Sequence, residues 1–338
     1  MVDIPERRDK QCMFWDPPSN GRIHCRLCPH ECRIAEGRTG ICRVRQHRDG
    51  ILYALTYSQV SSLNLDPIEK KPLYHFYPGS WILSLGTLGC NLACSFCQNW
   101  EISQDTVPTR TLTAQQAVEV AQREPRNIGL AFTYNEPLMW YEYVYDTARL
   151  ARAIGLKNVL VTNGYVNEEP LRQLLPVIDA MNIDVKSYTE EFYRTLCKAK
   201  AEPVRKTVEI AHAAGCLVEL TNLIIPGYND AEEDLRALVD WVAAVDPAIP
   251  LHFSRYHPAY KLEAPPTPVE TLQLAYGIAK DQLKYVYLGN VANAGGEDTQ
   301  CPNCGKTVIS RRGFTAQVIG LRDGKCAHCG GQVDVVGA

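Results

Sequence analysis

The sequence predicts an α/β fold in which a parallel sheet curls into a full or partial TIM-like (β/α) barrel. An N-terminal Cys-rich segment and a C-terminal zinc ribbon are expected to flank it. Three observations point there. Short apolar runs alternate with helix-length stretches through the middle of the chain. The first run, WILSLGTLGC, leads into a turn holding three cysteines, where a flat doubly wound sheet would show a Gly-rich phosphate turn. Paired cysteines mark both ends. The expected divisions are 1–75, 76–295 and 296–338.

After the first strand, TLTAQQAVEVAQRE reads as a helix that Thr113 can cap. The run NIGLAFT, the helix PLMWYEYVYDTARLARAIG stopped by Gly155, and the run NVLVTNG make a βαβ unit. The pattern continues through helix EEPLRQLL, strand AMNIDVK, helical EEFYRTLCKA and PVRKTVEIAHAAG, and strand LVELTNLII. Helix DAEEDLRALVDWVAAV, strand LHFSRYH, helix PVETLQLAYGIAKDQL and strand YVYLGNV complete it.

With 35 Lys and Arg against 38 Asp and Glu, the 338 residues carry a net charge of −3, which argues against a polyanion as main partner. No apolar run is long enough to span a membrane, and MVDIPERRDK lacks a signal core, so the reading is a cytoplasmic chain. In a reducing compartment, 14 cysteines read as metal ligands before disulfides. They cluster as Cys25, Cys28, Cys32 and Cys42, then Cys90, Cys94 and Cys97, then Cys301, Cys304, Cys326 and Cys329. The isolated Cys12, Cys197 and Cys216 read as small buried apolar side chains.

The motif CNLACSFC falls on the first βα loop, at the end of the barrel where active sites lie. Three thiolates on one loop can hold a cubane cluster while leaving a fourth iron without a protein ligand. A three-ligand zinc site completed by a distant His is the other reading.

CNLACSFC, with the aromatic Phe96 before its last Cys, resembles the signature of the radical S-adenosylmethionine (SAM) superfamily. DPIEKKPLYHFYPGS, LSLGTLGCNLACSFCQNWEISQ, TYNEP, HFSRYHPAYK and CPNC...CAHC further resemble the radical SAM enzymes of the AmmeMemoRadiSam system, which are related to pyruvate formate-lyase activating enzymes. The resemblance implies a radical SAM-type barrel and a [4Fe-4S] cluster on Cys90, Cys94 and Cys97, with SAM chelating the fourth iron. One electron then splits the sulfonium, and the 5'-deoxyadenosyl radical takes a hydrogen from a substrate. A flavodoxin- or ferredoxin-like reductant is the implied partner.

The superfamily's Gly-Gly-Glu segment corresponds to Tyr134, Asn135 and Glu136, with Glu136 expected to meet the methionine amino group. Thr162 and Asn163 correspond to a Thr-Asn-Gly stretch of the activating enzymes; an Asp that precedes it there, part of a monovalent-cation site, is Val161 here. Asp184 and Lys186 match an Asp-x-Lys pattern, and strand alternation sends both to one face. Lys186 is then expected to face the methionine carboxylate, or the two form a buried ion pair. His257 corresponds to a histidine near the adenosyl group; a core histidine is the competing reading. Arg255, two positions earlier, is a candidate for carboxylate or phosphate.

The C-terminal C-x2-C-x21-C-x2-C pattern signals a zinc ribbon that needs its metal to fold. Basic Arg311, Arg312, Arg322 and Lys325 leave nucleic acid as a minor reading. The N-terminal quartet reads as zinc or a second iron-sulfur cluster, with His24 and His30 as alternative ligands. Three classes follow. The leading one is a radical SAM enzyme acting on a protein or small molecule, either by activating a glycyl-radical enzyme or by modifying another protein, RNA or metabolite. The others are a metal-dependent nucleic-acid-binding module, which leaves the Cys90–Cys97 trio unexplained, and an electron-transfer protein, which leaves Glu136 and Lys186 without purpose.

Overall fold

The computed structural model describes residues 10–291 and 294–338. Its centre is an eight-stranded sheet: β1 (Ser62–Pro67), β2 (Trp81–Gly86), β3 (Asn127–Phe132), β4 (Lys157–Thr162), β5 (Ala180–Asp184), β6 (Leu217–Ile224), β7 (Leu251–Arg255) and β8 (Val286–Gly289). They lie side by side in chain order. β2 to β8 pair in parallel, and β1 pairs antiparallel with β2. All seven parallel strands are those the apolar runs predict. β1 and β8 are edges that do not pair with each other, so the barrel is partial. The sheet also starts upstream of residue 76, because Ser62–Pro67 belongs to it.

The longer helices are α1 (Ala114–Arg123), α2 (Tyr141–Ala153), α3 (Glu168–Leu174), α4 (Glu202–Ala213), α5 (Glu232–Val245) and α6 (Val269–Lys280). Thr113 caps α1 through a reciprocal box: its hydroxyl accepts from the Gln116 amide at 3.2 Å, and Gln116 accepts from the Thr113 amide at 2.9 Å. α2 ends before Gly155, whose φ of 85° needs the left-handed region. EEFYRTLCKA departs from the expected helix. After a single turn, Glu190–Phe192, it widens to a π-helical turn at Tyr193–Cys197 and ends at Lys198 with φ 59°.

The ribbon sheet, built from Thr299–Gln300, Thr307–Arg312 and Thr315–Val318, packs Val308 and Ile309 against Tyr285, Tyr287 and Tyr74. Tyr287 lies in β8 and Tyr74 in the segment after β1, its ring packed on Tyr287 and on His252 of β7, so the ribbon rests on the β7–β8 side of the sheet and on that segment. Arg311 fastens it there. Its guanidinium lies 4.1 Å from the Tyr74 ring centroid and donates to the Tyr74 carbonyl at 2.7 Å. Arg311 is buried, so it is not part of an exposed basic face.

The N-terminal segment shares one apolar core with the barrel, through Ile23, Leu27 and Leu52. Arg45 and Glu142, each 1 % exposed, pair at 3.1 Å and tie this segment to α2. Among the described residues, no helix is long and apolar enough to cross a membrane. All 14 cysteines are free thiols, and Cys12, Cys197 and Cys216 are buried as expected.

Candidate active site

The turn after β2 carries Cys90, Cys94 and Cys97 into one large cavity, with about 3390 Å³ of space outside protein atoms, part of it open to solvent. Backbone contacts fix this loop. Gly89 donates to the Ile102 carbonyl at 2.8 Å, Ala93 to Cys197 at 3.0 Å and Ser95 to Leu196 at 3.1 Å. The last two acceptors belong to the π-helical turn, which explains its widening: it aims carbonyls at the cysteine loop. Cys197 lies within hydrogen-bonding reach of Cys94, and this contact, with burial, pushes the Cys94 thiol up.

Glu136 follows β3 and is 2 % exposed. One carboxylate oxygen accepts from the Leu138 amide at 3.0 Å and the Thr162 hydroxyl at 2.6 Å, and the other accepts from the Asn163 amide at 2.8 Å. The second oxygen keeps a lone pair for a cation in the cavity. Burial pushes the Glu136 carboxyl up to about 7, against the pull of these donors. Asn163 donates to Asn91 at 2.9 Å and lies 3.6 Å from the Cys90 sulfur.

Asp184 and Lys186 share one face, as the alternation requires, and meet at 3.1 Å. Burial opposes the Lys186 charge, but Asp184 and the nearby Cys94 thiol outweigh it, so its ammonium is held above the usual range. Its nitrogen sits 5.8 Å from the ring centroid of the buried Phe96. Cys90, Cys94, Cys97, Phe96, Tyr134, Asn135, Glu136, Thr162, Asn163, Asp184 and Lys186 therefore all line the same cavity.

Tyr134 and Asn135 hold the scaffold with their side chains. Asn135 donates to the Gly89 carbonyl at 2.8 Å and accepts from the Thr87 amide at 3.0 Å. Tyr134 has φ 74°, a strained conformation for a bulky residue, and is held by its hydroxyl on Asp66 at 2.6 Å. A left-handed backbone here accounts for the first glycine of the Gly-Gly-Glu pattern.

His257 is the exception among the expected site residues: it is exposed and is not part of the cavity wall. The chain leaves β7 at Arg255, whose Nε donates to Thr267 at 2.8 Å, while the Tyr256 amide donates to the Thr267 hydroxyl at 2.8 Å. These contacts turn His257 outward and occupy Arg255. The histidine that does line the cavity is His252, bonded to buried Glu219 at 2.7 Å.

Sequence reasoning also missed Asp66 and Lys71, although DPIEKKP contains both. Asp66 accepts from Lys71 at 2.7 Å and Lys70 at 2.9 Å. Burial pushes the Lys71 ammonium down to about 8, and it lines the cavity. Only the crowding of two lysines after an acid signalled this cluster.

The thiols differ in spacing. Among the described residues, Cys301, Cys304, Cys326 and Cys329 place their sulfurs within 4.8 Å of one another, with Cys301–Cys329 at 3.6 Å and Cys304–Cys326 at 3.7 Å. Four sulfurs around zinc, each about 2.3 Å from the ion, stand about 3.8 Å apart. The C-terminal quartet thus fits zinc. Among the described residues, the Cys90, Cys94 and Cys97 sulfurs do not gather in this way; three thiols on one loop are a donor set that can hold a cubane with an open corner.

The fold and this loop define a radical SAM protein: a family model described as Radical SAM superfamily matches residues 85–242, and the chain belongs to that superfamily of enzymes. It is 46% identical over 335 residues to the uncharacterized protein MJ0808 of Methanocaldococcus jannaschii, covering 97% of this chain and 99% of that one. It is 22% identical over 177 residues to a pyruvate formate-lyase-activating enzyme of Clostridium pasteurianum, covering 50% of this chain and 72% of that enzyme. Among solved structures, a radical SAM methyltransferase from Sphaerobacter thermophilus shares the fold with a TM-score of 0.52 at 16% identity, covering 63% of this chain and 67% of that one.

Proposed function

We propose that the protein reductively cleaves SAM at a [4Fe-4S] cluster held by Cys90, Cys94 and Cys97, and that the resulting 5'-deoxyadenosyl radical abstracts hydrogen from a protein or small-molecule substrate. The observation that carries this reading is the convergence of the three thiols, the Glu136 carboxylate and the Lys186 ammonium on one cavity. Glu136 offers its free lone pair to the methionine amino group. Lys186, braced by Asp184, faces the methionine carboxylate as a point charge. Phe96 supplies an apolar wall, and Thr162 and Asn163 hold Glu136 in place. His257 has no part in this arrangement.

The stretches DPIEKKPLYHFYPGS and HFSRYHPAYK support reading the chain as the AmmeMemoRadiSam type. Activation of a glycyl-radical enzyme is not favoured, because the two flanking cysteine modules have no role in that reading. The C-terminal quartet, closed by four sulfurs, holds zinc for structure. A flavodoxin- or ferredoxin-like protein supplies the electron, and the free thiols accord with a reducing cytoplasm.

Anaerobic reconstitution tests the proposal. A reduced cluster signal that changes on SAM addition, with formation of 5'-deoxyadenosine, is the expected result. A cluster indifferent to SAM, with no such product, overturns it.

A further inference from the structure

Cys25, Cys28, Cys32 and Cys42 line a second cavity, separate from the one described above, with about 310 Å³ of space outside protein atoms, part of it open to solvent. Leu27, Ile34, Ile41 and Met139 complete an apolar wall. Cys25, Cys28 and Cys42 are buried. The backbone amides of His30, Ile41 and Val44 are directed at the sulfurs of Cys28, Cys32 and Cys42. Such amide donors are the usual partners of cluster-bound thiolates.

Sulfur spacing separates the two metals that four thiolates suit. One zinc ion gathers its sulfurs as the C-terminal quartet does; a cubane binds each thiolate at a different corner and holds them farther apart. Among the described residues, the N-terminal sulfurs form no single-ion group. In this they match Cys90, Cys94 and Cys97 rather than the ribbon.

An independent observation concerns Arg45, which lines the same cavity and is 1 % exposed. Its terminal nitrogens reach the Met13 carbonyl and Glu142, yet its Nε is buried without a partner. An orphaned donor on a permanent cation calls for an anionic acceptor in the adjoining space. Zinc ringed by four sulfurs offers a similar charge, so Arg45 is consistent with either metal, and it is the absence of a tight four-sulfur group here, among the described residues, that favours the cluster.

The site also abuts the catalytic loop. A Cβ on Gly89 would lie 2.7 Å from the Cys42 carbonyl oxygen, and the His30 ring nitrogen meets the Asn91 carbonyl at 2.7 Å. We propose that Cys25, Cys28, Cys32 and Cys42 hold a second [4Fe-4S] cluster, ligated at all four irons by protein and therefore closed to SAM. The thiols lose their protons on binding, and iron and sulfide come from the reconstitution mixture or the cell's cluster-assembly machinery.

The test uses the full chain with Cys90→Ala, Cys94→Ala and Cys97→Ala together, reconstituted anaerobically with ferric iron, sulfide and dithiothreitol, the ferric iron supplying the oxidising equivalents of the cluster, and then reduced with dithionite. About four irons and about four sulfides per chain are expected, with a reduced paramagnetic signal unaltered by SAM. A variant that binds no iron, or that binds a second zinc beside the ribbon's, overturns the proposal. A second variant, Cys28→Ser with Cys42→Ser, guards against misfolding of the first. It should lose about half the iron of the parent chain while keeping the SAM-sensitive signal; retention of all the iron overturns the proposal. The two readings fail separately. Iron in the triple variant with a SAM-indifferent parent sinks the catalytic reading alone, and an iron-free triple variant with a SAM-sensitive parent sinks this one alone.

Discussion

The side-chain amide of Asn163 stands 3.6 Å from the sulfur of Cys90, with its own oxygen fixed by the Tyr165 amide at 2.8 Å. The donor is therefore aimed, and it favours negative charge on that sulfur. Donors to cluster sulfurs raise the reduction potential. Asn163→Leu should lower the potential of the catalytic cluster by on the order of 40 mV, taking about 1 kcal/mol for the lost bond and one electron transferred. An anaerobic redox titration followed by paramagnetic resonance measures it, and an unchanged potential refutes the role.

Replacing any one of Cys90, Cys94 or Cys97 with Ala should reduce 5'-deoxyadenosine formation by at least about 100-fold, since even groups that merely orient metal ligands are worth 10- to 100-fold. Zinc content should stay that of the parent chain, because the ribbon's four thiols lie elsewhere. Product quantitation beside metal analysis checks both halves.

Glu136 gives a pH dependence with a definite sign. Its folded value, near 7, exceeds the ordinary carboxyl value, so the folded protein binds the extra proton between about pH 4.5 and 7. Stability of the unliganded protein should fall as pH rises through that window. SAM affinity should rise through pH 7 as the carboxylate forms beside the ammonium. Glu136→Gln should flatten both trends and weaken binding about tenfold, equivalent to about 1.4 kcal/mol. Denaturant midpoints and binding isotherms at pH 6 and pH 8 report the two effects, and parallel curves for parent and variant count against the assignment.

Asp66 and Lys71 form a buried pair at 2.7 Å, with Tyr134 bonded to the same carboxylate. Removing one partner leaves the other charge uncompensated. Asp66→Asn should cost about 3 kcal/mol in urea unfolding. Combining it with Lys71→Met should recover part of the loss; additive losses would show the pair to be uncoupled.

The parallel strands were legible because each is a continuous apolar run between turn residues, as a sheet covered on both faces requires. β1 was not, because SLNLDP alternates weakly and contains Asp66 and Pro67, which read as a turn. The cysteine loop could be placed from its spacing and the Asp184–Lys186 pair from strand alternation, whereas Glu136 was reached only through the resemblance to the superfamily's Gly-Gly-Glu segment. His257 could not, because two contacts to Thr267, distant in sequence, decide where the chain turns after β7. Lys71 escaped for a similar reason: it packs on Tyr134, more than sixty residues further along the chain, whose ring centroid lies 4.6 Å from its ammonium.

The ribbon's grip on Tyr74 and Tyr287 has a further implication. Ser310, Arg312 and Phe314 of its hairpin form part of the cavity wall, so one side of the proposed reaction chamber is built from a module whose four thiols fit a single zinc ion. A chelator strong enough to strip that ion would unlatch Arg311 and let bulk solvent in sideways. Shielding a reactive carbon radical from quenching would then hinge on a metal that never meets the substrate.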